Sequence, residues 1–275
     1  MDRALLADLI GDDPFQPATQ VWRAAEVAAV LSRGLPAGRG LDLGCGDGRL
    51  TALILERGGA RDMVGVEPDA SEAELARASG VYTKVHVAPG DGIPEPDGSF
   101  DWAFSNSVLE HVDQVEAVLE EVARLLKPGG EFIFTVPSPS FHAALRGPLL
   151  PLSSRQRYLE ALDARLAHVR YWDAREWRQR LARTGLRLEV ADEYLGRAEV
   201  RRWETVSRST AGLLYALLRR SRQPIQIQKA LGVRRHRPRL PRWSTRALAA
   251  ALDAGVNGEG PFSCLYVRAR KPEQP

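Results

Sequence analysis

The sequence predicts an α/β fold: a doubly wound sheet of mostly parallel strands with helices on both faces. Two observations carry that prediction. From residue 39 onward, short apolar strand segments alternate with helical segments over short connections, the pattern that parallel crossovers produce. The first strand also runs into a glycine-rich turn that opens a helix, Leu41-Asp42-Leu43-Gly44-Cys45-Gly46-Asp47-Gly48-Arg49. Glycines in such a turn let the backbone approach a ligand closely.

Each element follows in order. Residues 1–34 read as two helices joined by the breaker GDDPFQP, the second being TQVWRAAEVAAVLSR. The first strand ends at Leu43, and LTALILER reads as the helix after the turn. Strand MVGV (63–66), helix SEAELARAS (71–79) and strand KVHVA (84–88) come next, followed by a Gly/Pro/Asp loop. FDWAF (100–104) is a strand, and the amphipathic helix 113–126 stops at Lys127-Pro128-Gly129-Gly130. Strand EFIFTV (131–136), helix 173–183, strand LRLEVA (186–191) and strand SCLYVRAR (263–270) complete the alternation.

Two stretches interrupt it. Residues 137–170 begin PSPSF and carry Pro148 and Pro151; residues 192–260 are helical in composition, Arg-rich, and broken by Pro224, Pro238 and Pro241. Both leave the strand ends where open α/β sheets bind ligands, which makes them candidate lids, with plain packing or oligomer surface as the other reading. The organisation expected is an N-terminal helical cap over 1–38, a core over 39–191 with 261–275, and a basic helical insertion over 192–260.

The chain has 275 residues, 44% hydrophobic and 27% charged, enough apolar material to exclude general disorder. No apolar run reaches the ~18–20 residues of a membrane span. The start, MDRALLADLIGDD, is acidic where a signal peptide is basic. Cys45 and Cys264 are the only cysteines, so no disulfide scaffold is needed. A soluble cytoplasmic protein is expected.

Charge is divided unevenly. Residues 197–246 carry 14 Lys and Arg against Glu199 and Glu204, whereas the first 196 residues hold 21 basic and 30 acidic residues. A basic block on an acidic body suits an anionic partner. Arginine accounts for 34 of the 38 basic residues, so the block is equally what a GC-rich genome would encode.

The glycine-rich turn is not a dinucleotide fingerprint, because Arg49 stands where G-x-G-x-x-G needs its last glycine, and no GK[ST] follows for a P-loop. Asp42 and Asp47 flank it with negative charge, poor for a pyrophosphate and suited to an ammonium or sulfonium. Glu67 ends the next strand, where a carboxylate can accept from both hydroxyls of a ribose. Asp91, in Gly90-Asp91-Gly92 after the third strand, can accept from an adenine amino group.

LDLGCGDGR, VGVEPD, the GDG loop, FDWAFSNSVLEHV and LLKPGGEFIFTVPS together resemble the successive motifs of the class I S-adenosyl-L-methionine-dependent methyltransferases, in the subgroup with Leu-Glu-His after the fourth strand. The resemblance is close over 39–137 and looser over 171–191 and the closing SCLYVRARK. It implies a Rossmann-like sheet of seven strands with the last antiparallel, S-adenosyl-L-methionine as cofactor and S-adenosyl-L-homocysteine as product. Carried over, Gly44 and Gly46 lie against the methionine portion and Asp42 near its ammonium. Glu67 binds the ribose, with Pro68 and Asp69 beside the adenine. Asp91 and the Gly92 backbone meet the adenine, and Ser105 and Asn106 line the methyl end.

Methyl transfer needs a positioned acceptor and, for some acceptors, a proton acceptor. His111, at the head of the segment after the fourth strand, is the first candidate base, its other reading being a hydrogen bond that positions cofactor or acceptor. Histidine is suited by its unperturbed pKa of ~6.5. His142, in the loop after the fifth strand, is the second candidate, its other reading an ordinary loop histidine. Tyr171 and Trp172 either line an acceptor pocket or join the core, and Trp22 is placed to cover the cofactor. His86 reads as structural, His168 and His236 lack chemical context, and no spacing suggests a metal.

Ser105-Asn106-Ser107 departs from the Asn/Asp-Pro-Pro-aromatic tetrapeptide of methylases acting on nucleobase or glutamine amino groups, which argues against that chemistry. The expected function is O- or C-methylation of a small or carrier-linked metabolite. Three alternatives stand beside it. One is a lipid-linked or cell-surface glycan acceptor at the membrane, with Trp203, Leu213, Leu214, Tyr215, Leu217, Leu218, Arg219, Arg220 and Arg222 as a peripheral interfacial helix. Another is nucleic-acid binding through Arg234-Arg235-His236-Arg237-Pro238-Arg239, which lacks interleaved aromatics. The third is a non-catalytic cofactor-binding protein.

Overall fold

A computed structural model describes residues 2–59, 62–148, 154–212, 240–253 and 260–273. The chain divides into two compact units. A sheet unit comprises Ala29–Ser138, Arg170–Glu193 and Cys264–Pro275; a helical unit comprises Met1–Ala28, Pro139–Val169 and Tyr194–Ser263. The segment 139–169 thus belongs with the N-terminal residues and not with the strands that flank it.

The sheet unit is built on seven strands: β1 (Gly40–Leu43), β2 (Met63–Val66), β3 (Lys84–His86), β4 (Phe100–Asn106), β5 (Leu126–Pro137), β6 (Arg187–Gly196) and β7 (Phe262–Arg270). Their spatial order is β3-β2-β1-β4-β5-β7-β6. β1 pairs in parallel with β2 and β4, β3 with β2, and β5 with β4, while β7 runs antiparallel to β5 from Glu131↔Arg270 to Pro137↔Cys264. The chain reverses its direction of winding between β1 and β4, so a crevice opens beyond their C-terminal ends.

Local chemistry sets the connecting helices. α3 (Arg49–Gly58) starts at Gly48, whose φ of +76° is left-handed, and ends at Gly59 at +80°. α4 (Ala70–Ala78) is capped by Asp69, which accepts from the Ser71 and Glu72 amides. α5 (Val115–Leu125) buries Val115, Val118, Leu119, Val122 and Leu125, one apolar stripe at helical spacing. That stripe joins Leu41, Val64, Phe100, Phe132, Phe134 and Val267 in the main core. α8 (Ala174–Arg183), capped by Asp173, adds Trp177 and Leu181 to it.

The helical unit contains α1 (Arg3–Asp12), most of α2 (Pro17–Leu31), α6 (Ser140–Ala144), α7 (Arg155–Leu166), α9 (Arg197–Ser207) with a π turn over Arg208–Gly212, and α10 (Arg242–Asp253). α1 packs along α10, tied by the Arg3–Asp253 pair at 2.5 Å. Trp22, Phe141 and Trp203 form an edge-to-face trio with centroids 5.3 to 5.6 Å apart, a favoured aromatic geometry. Trp203 is buried there, which corrects its expected place on an interfacial face. The remaining residues expected on that face, 213–222, and the run 234–239 lie outside the described residues. Among the described residues no helix is long and apolar enough to cross a membrane.

Candidate functional site: the crevice at the ends of β1, β2 and β4

The turn after β1 is anchored by its own backbone, since the Gly44 and Cys45 amides both donate to the Val66 carbonyl of β2, at 2.9 and 3.0 Å. Gly44 and Gly46 both hold left-handed backbone, φ +75° and +53°, but differ in their surroundings. A Cβ on Gly44 would stand 2.6 Å from Val108, so it also allows close packing. Gly46 has nothing within 4 Å of where its Cβ would stand. The turn is therefore open at Gly46, as it must be for a ligand to lie against it. Gly92 is open in the same way.

Glu67 ties the turn to the next loop. One carboxylate oxygen accepts from the Gly46 amide and the other from the Asp69 amide, each at 3.0 Å. Pro68 is exposed beside it. Asp91 and Gly92 are exposed on the loop after β3.

Asp42 is almost wholly buried at 2% exposure, and its Oδ2 accepts from the Thr51 and Tyr82 hydroxyls, both at 2.6 Å. Burial pushes its pKa up to about 6; the two hydroxyls oppose the rise and the Glu67 carboxylate adds to it. Burial, reinforced by Asp42, pushes the Tyr82 phenol and the Cys45 thiol up as well, so both are held neutral. Thr51 and Tyr82 escape a motif reading because hydroxyls at these positions carry no signature. Tyr82 reaches Asp42 only through the β1–β2–β3 pairing.

Beyond β4, Ser105 is fully buried and its hydroxyl donates to the Leu43 carbonyl, 3.1 Å away. Asn106 Oδ1 accepts from the Thr135 hydroxyl at 2.9 Å. Ser107 then takes a left-handed φ of +51° while its amide donates to the Thr135 carbonyl. This conformation, costly for a residue with a Cβ, turns the chain into the 3₁₀ turn Leu109–His111. His111 is exposed, and its Nε2 lies 4.0 Å from Oε1 of the buried Glu110, beyond hydrogen-bond distance. Glu110 was not singled out from sequence, although it stands beside His111 in the Leu-Glu-His motif.

The other sequence candidates have partners of their own. His142 is in α6, not a loop, with Nε2 2.9 Å from Asp163 Oδ1 of α7; it belongs to the helical unit. Trp22 belongs to the aromatic trio of that unit and donates to Glu26. Trp172, half-buried, has the Arg170 and Arg180 guanidiniums near its ring and packs edge-on against Trp177 at the margin of the main core. His86 pairs with Glu95 at 2.7 Å, a structural role.

A strand order of 3-2-1-4-5-7-6 with an antiparallel β7, an open glycine turn and a carboxylate ending β2 defines a cofactor-binding α/β enzyme class. A model of the methyltransferase-domain family matches residues 20–190, and the chain belongs to that family, the class I S-adenosyl-L-methionine-dependent methyltransferases. Two relatives are trans-aconitate 2-methyltransferase of Sinorhizobium fredii, 32% identical over 50% of this chain and 61% of that one, and dimethylglycine N-methyltransferase of Parasynechococcus marenigrum, 33% identical over 51% and 57%. The matches thus span about three-fifths of these relatives' length. Among solved structures, geranyl diphosphate C-methyltransferase of Streptomyces coelicolor, bound to S-adenosyl-L-homocysteine, shares the fold at a TM-score of 0.54 and 15% identity, over 93% of this chain and 84% of that one.

The residues present fit the family's cofactor. Gly46 and Gly92 leave room, and the Asp42 and Glu67 carboxylates flank the open turn, as suits a cationic ligand.

Proposed function

We propose that this chain transfers the methyl group of S-adenosyl-L-methionine to an oxygen or carbon of a small or carrier-linked, anionic metabolite. The observation that carries the reading is the pairing of His111 with the buried Glu110 beyond β4. When bound, the cofactor supplies a methyl group on a sulfonium, open to in-line attack. Glu67 would hold its ribose, Asp91 and Gly92 its adenine, and Gly46 and Asp42 its methionine end. Gly44, Ser105 and Asn106 would shape the wall through their packing and hydrogen bonds.

His111 would take the proton from an acceptor hydroxyl or acidic carbon, and the Glu110 carboxylate would favour the imidazolium so formed. Asn106 offers its carbonyl oxygen to Thr135, which supports an acceptor other than a conjugated amine. The two named relatives act on trans-aconitate and dimethylglycine, both small and carboxylate-bearing, which supports a small polar acceptor, and the basic composition of 197–246 supports an anionic one.

Methyl-labelled cofactor and a cell extract test it. The expected result is label transfer to a small molecule, with His111→Asn lowering kcat about a hundredfold while cofactor affinity holds. A His111→Asn enzyme with wild-type turnover would exclude the base role.

A further inference from the structure

The loop between β3 and β4 is held by two side chains of α5. Glu121 Oε1 accepts from the Ile93 amide at 2.7 Å, and Arg124 Nη2 donates to the Ile93 carbonyl at 3.1 Å. Arg124 Nη1 reaches the Glu95 carbonyl at 3.0 Å and the Asp97 carboxylate at 2.5 Å. The two side chains also bond each other twice, Nε to Oε2 at 2.7 Å and Nη2 to Oε1 at 2.8 Å. Each is thus fixed by the other before it grips the loop, which lowers the entropy cost of the grip.

Two successive peptides are gripped: Gly92–Ile93 through the Ile93 amide, held by Glu121, and Ile93–Pro94 through the Ile93 carbonyl, held by Arg124. Gly92 has no side chain to restrict its rotation, and space is open around it. Charged partners on the Ile93 amide and carbonyl therefore settle how Gly92, and Asp91 before it, are presented. The far end of the loop is pinned independently, where the Glu95 carboxylate accepts from Lys84 at 3.0 Å and Arg39 at 3.2 Å and pairs with His86 at 2.7 Å.

We propose that Glu121 and Arg124 are positioning residues: their clamp on the two peptides that flank Ile93 sets the aim of Asp91 and Gly92 and so the enzyme's selectivity for a 6-amino over a 6-oxo purine. The proposal rests on the reading that Asp91 and Gly92 meet the adenine. Neither residue touches the cofactor; both act through the loop.

The test is calorimetric binding of S-adenosyl-L-homocysteine and S-inosyl-L-homocysteine to wild type, Arg124→Ala, Arg124→Lys, Glu121→Gln and Asp91→Ala. In Arg124→Ala the adenosyl ligand should weaken about tenfold, the scale of a lost charged hydrogen bond. The inosyl ligand should change far less, so the ratio of the two constants narrows. Arg124→Lys, which keeps the charge without the fork, should narrow it too; Glu121→Gln, which keeps an acceptor for Ile93, should retain most of it. If Arg124→Ala fails to fold, the Lys and Gln variants carry the comparison. Parallel weakening of both ligands, or a wild-type ratio in the arginine variants while Asp91→Ala collapses it, overturns the clamp alone. Unchanged affinities in Asp91→Ala overturn the adenine reading and the clamp with it.

Discussion

Asp42, next to the last residue of β1, carries a carboxylate at 2% exposure, and the fold sets two hydroxyls against it. Its pKa, pushed up to about 6 by burial, lies above the ~3.9 of an exposed aspartate. Between those values the folded state binds more protons than the unfolded one. The stability tied to this residue is therefore greatest below the window and falls as pH rises through it. A cationic ligand alongside works in the opposite direction, because it favours the ionised form. Affinity for S-adenosyl-L-methionine should thus rise from about pH 5 to about pH 7 and level off above. Asp42→Asn should flatten that rise and weaken binding at neutral pH, as titration calorimetry across the range would show. A rise that survives in Asp42→Asn would assign it to another group. Asp42 itself was legible in the sequence, since an aspartate closing a strand before a glycine turn signals a cationic ligand. Its partners were not, because Tyr82 lies 40 residues away. Gly44 shows the same boundary: the turn announced the glycine, but only tertiary structure brings Val108 against it.

At the scale of elements, patterning located the helices and strands, and tertiary pairing set their ends. β2 is found at 63–66 as read. β5 begins at Leu126, before the expected 131, because Leu126 pairs with Phe100 ahead of a register shift and the strand runs on through Lys127-Pro128-Gly129-Gly130. β6 continues past residue 191 to Gly196, although the polar pair Asp192 and Glu193 reads as its end. The helical unit shows what patterning misses altogether. Glu204 of α9, buried at 2% exposure, accepts from the Arg146 amide at 2.8 Å, the Gly147 amide at 3.3 Å, the Tyr158 hydroxyl at 2.5 Å and Arg208 at 2.6 Å. One carboxylate therefore fastens the end of the α6 segment, α7 and the π turn to α9. Counting charges over 197–246 makes Glu204 a minor exception to a basic block, whereas in the fold it is a hub. Glu204→Ala leaves those buried donors without their acceptor, a loss of about 3 kcal/mol or more. Thermal unfolding should fall by several degrees, with Glu204→Gln intermediate; an unchanged melting temperature in Glu204→Ala would show that the hub is dispensable.

Across the whole molecule, the two units differ in how far sequence could read them. The sheet unit repeats a family pattern, so its seven strands and its antiparallel β7 were expected from residues 39–137 and the closing strand, whereas the strand order is read only from the structure. The helical unit follows no such pattern. Its identity as a unit arises because three separated stretches, including 139–169, pack together. The acceptor, which no family pattern reads, is therefore the decisive measurement. Trans-aconitate and dimethylglycine, the substrates in the two relatives' names, are water-soluble carboxylates. A residue run with 14 Lys and Arg against two acidic residues suits the same chemistry, because guanidinium groups recognise carboxylate and phosphate by paired hydrogen bonds. When labelled product is partitioned, the label should remain in the aqueous phase and bind an anion-exchange resin. Apparent KM for the purified acceptor should then rise with ionic strength, as screening weakens a charge-guided encounter. Label extracted into the organic phase would instead assign the arginines to a headgroup surface and replace the small-metabolite reading with a lipid-linked acceptor.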